Sequence, residues 1–168
     1  MSGGTYLSFM RDADVRQVLL GWWGDLEINR ADRATLRRCR SAGEVALHPA
    51  YHRLRRALRG SNSVNSEALA VVAGLLAHVR VDNPGLEFPA QMARPKGEGR
   101  GAAVSGLRFR RLLRIEQRED LLGPIIRVVA LLGGKANVAS LADSVYWWNE
   151  NTRKRWALAY YENAPEEK

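Results

Sequence analysis

"LLGPIIRVVALLGG", residues 121–134, carries a single charge, Arg127, in an otherwise apolar run. Ile125, Ile126, Val128 and Val129 would suit a strand, and a strand here would make the fold mixed. No alternating stretch nearby offers that strand a partner. Gly133 and Gly134 supply a helix stop instead, because glycine takes the left-handed turn that ends many helices. The stretch therefore reads as a buried helix. "SEALAVVAGLLAHV", residues 66–79, is apolar on most faces and reads the same way.

Around these two the pattern is helical. Val15, Val18, Leu19, Trp22 and Leu26 share one face, with Asp12 or Asp14 as N-cap. Asn29 is placed to cap a helix over 30–40, "RADRATLRRCR". "HPAYHRLRRAL" starts another with Pro49 in its first turn, where a missing N–H is harmless. Ser105 caps "LRFRRLLRIEQR", residues 107–118, and "NVASLADSVYWWNE" and "NTRKRWALAYYEN" complete the set. Between Val81 and Ala103 the periodicity fails. Pro84, Pro89, Pro95 and four glycines mark a connection, with room for a short helical turn around Gln91 and Met92. The expected fold is all-α: two small helical bundles, residues 1–82 and 104–168, joined by a loop over 83–103.

The chain has 168 residues, 46% apolar, enough for a real core. It carries 26 Lys and Arg against 18 Asp and Glu, a net charge of +8, with a sequence pI near 10.2. The excess is +4, +1 and +3 over residues 1–82, 83–103 and 104–168, so it coats the whole body. That favours an extended polyanion, most often nucleic acid. The basic residues are grouped. Arg30, Arg33, Arg37 and Arg40 form one stripe with Arg38 beside it. Arg55, Arg56 and Arg59 flank Tyr51, Leu54 and Leu58 on the next helix. At about 100° per residue Arg110, Arg111, Arg114 and Arg118 fall opposite Phe109, Leu112 and Leu113. Arg153, Lys154 and Arg155 open the last helix. Spaced cations suit phosphate contacts, which are sequence-neutral and salt-sensitive. Trp22, Trp148 and Trp156 fall on apolar stripes and read as core. Tyr146, Trp147 and Tyr161 point off them, toward unpaired bases or a partner subunit.

No catalytic constellation emerges. His48 and His52 have a zinc-compatible spacing but lack the HExxH glutamate, and a third ligand would have to be His78 or a distant carboxylate. "LLGGKAN" fails the phosphate-loop pattern at Val129 and Ala136. Cys39 is alone, which excludes a disulfide frame, fits a reducing cytoplasm and reads as a small buried thiol. Glu116, Glu119 and Asp120 sit among arginines, where ion pairing accounts for them. No signal peptide or membrane span is apparent. The expectation is a cytoplasmic non-enzyme with no cofactor, metal, membrane or small-molecule substrate.

Two segments carry a resemblance. "LLGWWGDLEINRADRATLRRCRSAGEVALHPAYHRL" and "VSGLRFRRLLRIEQREDLLGPIIRVVALLGGKANVASLADSVYWWNENTRKRWALAYY" resemble the CasB family, the small subunit of the type I-E CRISPR surveillance complex Cascade. The Trp pair, "RATLRR", "LRFRRLL" and the "WW…RW…YY" ending occur in order; 81–103 has no counterpart. The resemblance implies an all-helical, non-enzymatic subunit, two copies lying head to tail beside the other Cascade subunits. They support the R-loop of crRNA and target DNA and grip the displaced non-target strand. On this chain it points to Arg30, Arg33, Arg37 and Arg38, to Arg108, Arg110, Arg111 and Arg114, and to Arg127. Arg127 interrupts an apolar helix, so it should reach a surface or an ionic partner. A second reading is a helix-turn-helix regulator built from "ANVASLADSVYWWNENTRKRW", although no turn glycine is present.

Overall fold

The computed structural model describes residues 7–61 and 63–166. Ten helices in this part carry the fold. The first, α1 (Ala13–Ile28), is capped by Asp12, whose carboxylate accepts from the N–H groups of Asp14 and Val15. It buries Val15, Leu19, Trp22 and Leu26, and Val18 packs at the edge. After one residue the chain continues as α2 (Arg30–Arg38). Asn29 stands between them with φ −92° and ψ 71° and makes no side-chain cap bond, contrary to its expected role. A short α3 (Ala42–Val45) is capped by Ser41 and leads to α4 (Pro49–Ala57), where Pro49 occupies the first turn.

At the centre lies α5 (Ser66–Leu76). Every residue from Ala68 to Leu76 is buried, as its all-round apolar sequence requires. It touches α2, α3 and α4 from the first half of the chain and α8 (Leu122–Leu131) and α9 (Val138–Tyr146) from the second. Buried residues from Leu7 to Tyr160 accordingly form one hydrophobic cluster. Each of Leu69, Leu75 and Leu76 removes roughly 1.5–3 kcal/mol worth of apolar surface from water. Gly74 marks the tightest approach: a Cβ there would stand 3.0 Å from Val45 Cγ2 and 3.4 Å from Leu122 Cδ1.

The 83–103 connection contributes to this core. Its α6 (Phe88–Ala93), around the expected Gln91–Met92 turn, packs along α10 (Glu150–Asn163) with Phe88 against Trp156. Residues 94–104 fold back as a bridge between Pro95 and Ala102.

Two departures from the expected elements bear on the site. One concerns strands. After α8 the chain turns through Gly133 and Gly134, both left-handed at φ 72° and 77°, where a side chain would be strained. The turn lays Lys135–Ala136 (β2) parallel to Val81–Asp82 (β1). The other concerns the arginine helix. The expected 107–118 helix is α7 (Gly106–Leu113), capped by Ser105 as expected, and it ends with Arg114 as C-cap. Two carbonyls at and just beyond its end are taken from across the fold: Arg153 donates to Leu113 O at 3.1 Å and Trp148 Nε1 to Ile115 O at 2.7 Å. The chain leaves the helix where those bonds are made and resumes as a 3₁₀ turn over Arg118–Leu121.

Candidate nucleic-acid interface

Two grooves gather most of the expected arginines. The first follows from α2. Leu36 is its buried anchor, so Arg30, Arg33 and Arg37 come to one side, beside Glu27 and Ala34. Arg80, leaving α5 toward β1, closes a groove of about 530 Å³. Arg33 lies deepest. Its Nη2 reaches Val79 O at 3.4 Å, while its Nε is enclosed without a hydrogen-bond partner. Burial lowers the Arg33 pKa, Glu27 opposes the shift, and Arg80 and Arg37 add to it. His78 feels the same surroundings: burial, and then Arg37, push its imidazole down to about 4, and its Nε2 is enclosed without a partner. Arg38 is exposed outside the groove, with Nη2 3.4 Å from Thr35 Oγ1.

The second groove, about 390 Å³, lies between α7 and α8. Arg108, Arg111 and Arg127 stand around it over a floor that includes Leu107, Leu112, Ile115, Pro124 and Val128. Phe109 and Leu112 are buried and Leu113 half-buried, while Arg108, Arg110, Arg111 and Arg114 are exposed. Arg127 is exposed too, which answers how an apolar helix tolerates it. Arg118 does not belong to this face. The helix stops before it, and its guanidinium turns inward to donate to Val145 O and Tyr146 O, both at 2.8 Å. It caps the end of α9.

The last basic cluster is divided by its packing. Arg153 is half-buried, bonded to Leu113 O. Lys154 is exposed and pairs with Glu150 at 3.4 Å. Arg155 is exposed and lines a separate depression with Asp143, Asn149 and Thr152. Burial raises the Asp143 pKa, its bond from the Phe9 N–H opposes the shift, and Arg155 also helps hold it down.

The electrostatics are one-sided. Among the described residues only Arg53 with Asp32 and Lys154 with Glu150 come within ion-pair distance. Glu116, Glu119 and Asp120 take no such pair, contrary to expectation. Arg30, Arg37, Arg108, Arg110, Arg111, Arg114 and Arg127 are exposed cations with neither an ion pair nor a side-chain hydrogen bond among the described residues. Their charge is therefore open to an anion from outside.

A family model described as CRISPR-associated protein Cse2 matches residues 32–161. The chain belongs to the Cse2 family. This agrees with the resemblance to the CasB small subunits of type I-E Cascade. The fold is similar to a chain in the crystal structure of E. coli Cascade bound to a PAM-containing double-stranded DNA target. The TM-score is 0.67 at 18% identity, covering 88% of this chain and 94% of that one. No curated protein matches in sequence.

Other features of this Cse2 chain that catch the eye in sequence have structural work. His48 Nδ1 accepts from the Ala50 N–H as the cap of α4, and His52 Nε2 lies 2.6 Å from Ala46 O. The Cys39 thiol donates to Thr35 O, and burial, aided by Glu44, raises its pKa against Arg38. Trp22, Trp148 and Trp156 are buried, each indole N–H bonded to oxygen. Tyr146, expected off the core, is buried, and its hydroxyl accepts from the Asn65 N–H. Trp147 is half-buried, its Nε1 donating to Leu7 O, and Tyr161 is exposed. Arg80 is the groove residue that sequence reading missed. It stands alone between a buried helix and a Pro-rich stretch, with no periodic neighbour to signal it. In the segment read as a helix-turn-helix, α9 is wholly buried and α10 buries Thr152, Trp156 and Tyr160.

Proposed function

We propose that this Cse2 chain is a non-catalytic Cascade subunit that grips nucleic-acid backbones and stabilises the R-loop. The carrying observation is the set of exposed, unpaired arginines, gathered as Arg30, Arg37 and Arg80 around one groove and Arg108, Arg111 and Arg127 around another. Arg38, Arg110, Arg114 and Arg155 extend the surface. Guanidinium forks match phosphate oxygens, and such contacts carry no sequence information. Exchanging a DNA duplex for a guide–target heteroduplex is nearly balanced in energy. A few backbone contacts to the separated strands are then enough to tip it.

The partners in this reading are the other Cascade subunits, a second copy of the chain, the crRNA–target R-loop and the displaced non-target strand. The test combines co-purification with other Cascade subunits and affinity for unrelated single- and double-stranded oligonucleotides against salt. The reading expects dissociation constants on the order of 10⁻⁴–10⁻⁶ M and a linear fall of log K with log salt. Marked preference for one duplex sequence, or metal-dependent strand cleavage by the pure chain, overturns it.

A further inference from the structure

We infer that the groove between α7 and α8 holds an unpaired nucleobase on its aliphatic floor, with the flanking phosphates at Arg108, Arg111 and Arg127. The inference rests on the reading of the chain as a nucleic-acid-gripping subunit. It adds a contact that backbone gripping does not require, and one that only a single strand can make.

The two grooves differ in what lies beneath their cations. Ala34 is the one aliphatic residue around the α2 groove. Between α7 and α8 the arginines surround Leu107, Leu112, Ile115, Pro124 and Val128. Leu112 and Val128 are buried, but Leu107 is 53% exposed on the first turn of α7. A phosphodiester leaves that apolar surface in water, because it brings only oxygens and charge. The flat face of a base can cover it, and guanidinium planes stack on bases as well. In a duplex that face is already stacked, so the base has to come from a separated strand.

The polar lining narrows the kind of ligand. It consists of the three arginines and Ser105, whose Oγ already accepts from the Arg108 N–H at 3.3 Å. The groove thus offers many donors and almost no acceptor. An acidic peptide would bring a backbone N–H with each residue, and burying those without acceptors is costly. A nucleotide brings acceptors instead: phosphate oxygens for the guanidinium forks and, in thymine or guanine, a keto oxygen on the base edge. Arg127 stands close to the floor, since its Nη1 would lie 3.6 Å from a Cβ at Gly123, beside Pro124.

The test compares full-length wild type with Leu107→Ser on three probes. These are oligo-dT, a strand of equal length with abasic sites in place of the thymidines, and a mixed-sequence duplex. Serine at this exposed position should leave the melting temperature within about 2 °C of wild type. Wild type should bind oligo-dT about fivefold more tightly than the abasic strand, as partial burial of one leucine allows. Leu107→Ser should lose that factor at every salt concentration with an unchanged salt slope, because no phosphate contact goes. It should bind the abasic strand and the duplex as wild type does. Wild type that binds the abasic strand as tightly as oligo-dT overturns the proposal, whatever the variant does. An equal loss on all three probes overturns it too. A variant that binds every probe normally but no longer co-purifies with other Cascade subunits gives the floor to a protein segment and also overturns it. If wild type binds none of the probes, the reading it rests on fails with it.

Discussion

Replacing Arg108, Arg111 and Arg127 together by Gln separates a binding surface from a structural one. All three are exposed, and none makes an ion pair or side-chain hydrogen bond among the described residues. Gln is close to Arg in helix propensity, so each change should alter stability by no more than about 0.5 kcal/mol. Binding should respond quite differently. A phosphate contact contributes about 0.9 to the slope of log K against log salt on duplex DNA and about 0.7 on single strands. If each arginine holds one phosphate, the triple variant should flatten the slope by up to about 2.7 or about 2.1. With an unchanged intercept at 1 M salt, that is about two to three decades of affinity at about 0.1 M. The assay is fluorescence anisotropy of labelled oligonucleotides over a salt series, with thermal melting alongside. Leu112→Ala is the counter-control. Leu112 is 3% exposed on the same helix, so its truncation should cost roughly 2–5 kcal/mol and leave the slope alone. A triple variant that melts early with the wild-type slope would make these arginines structural and not phosphate-binding.

Arg118→Ala should behave like the leucine, because it removes two bonds to the carbonyls of Val145 and Tyr146. The expected loss is about 2–4 kcal/mol in denaturant unfolding, with the salt slope unchanged; a slope lowered by about one at full stability would put Arg118 back on the basic face. His78 should make the fold acid-sensitive. Its folded pKa of about 4 lies below the ordinary 6.5, so the unfolded chain takes up a proton that the folded one refuses. Stability is full above about pH 6.5 and falls toward pH 4 by up to about 1.4 kcal/mol per unit. Burial raises the Asp143 pKa and so acts with the opposite sign. The difference between wild type and His78→Leu in unfolding at several pH values isolates His78, and a pH-independent difference would contradict the assignment.

What the sequence made legible was local. The α1 face is visible in the spacing of Val15, Leu19, Trp22 and Leu26, and the burial of α5 in its lack of any polar side. Pro49, Ser105 and the Gly133–Gly134 pair mark ends by their own backbone chemistry. What escaped depends on distant partners. The arginine pattern runs on to Arg118, but α7 stops at Leu113, where Arg153 bonds Leu113 O and Trp148 bonds Ile115 O from across the fold. A two-residue ladder such as β1–β2 is too short to show a period. In the candidate site, periodicity placed Arg30, Arg33 and Arg37 on one stripe, and the exposure of Arg127 was legible from the cost of burying a lone charge. Arg80 joins them only through the path of the chain after α5, which no local pattern encodes. The bond from Arg153 to Leu113 O likewise depends on a distant partner.

The most direct measurement is R-loop lifetime in reconstituted Cascade carrying this subunit with Arg37, Arg80, Arg108, Arg111 and Arg127 changed to Gln. The altered R-loop should collapse faster than the wild type's at low salt, while guide RNA and the other subunits stay bound. The gap should narrow as salt is raised, because screening weakens the wild-type grip as well. An R-loop as long-lived as the wild type's, in a complex containing the altered subunit in full amount, would contradict the proposed grip.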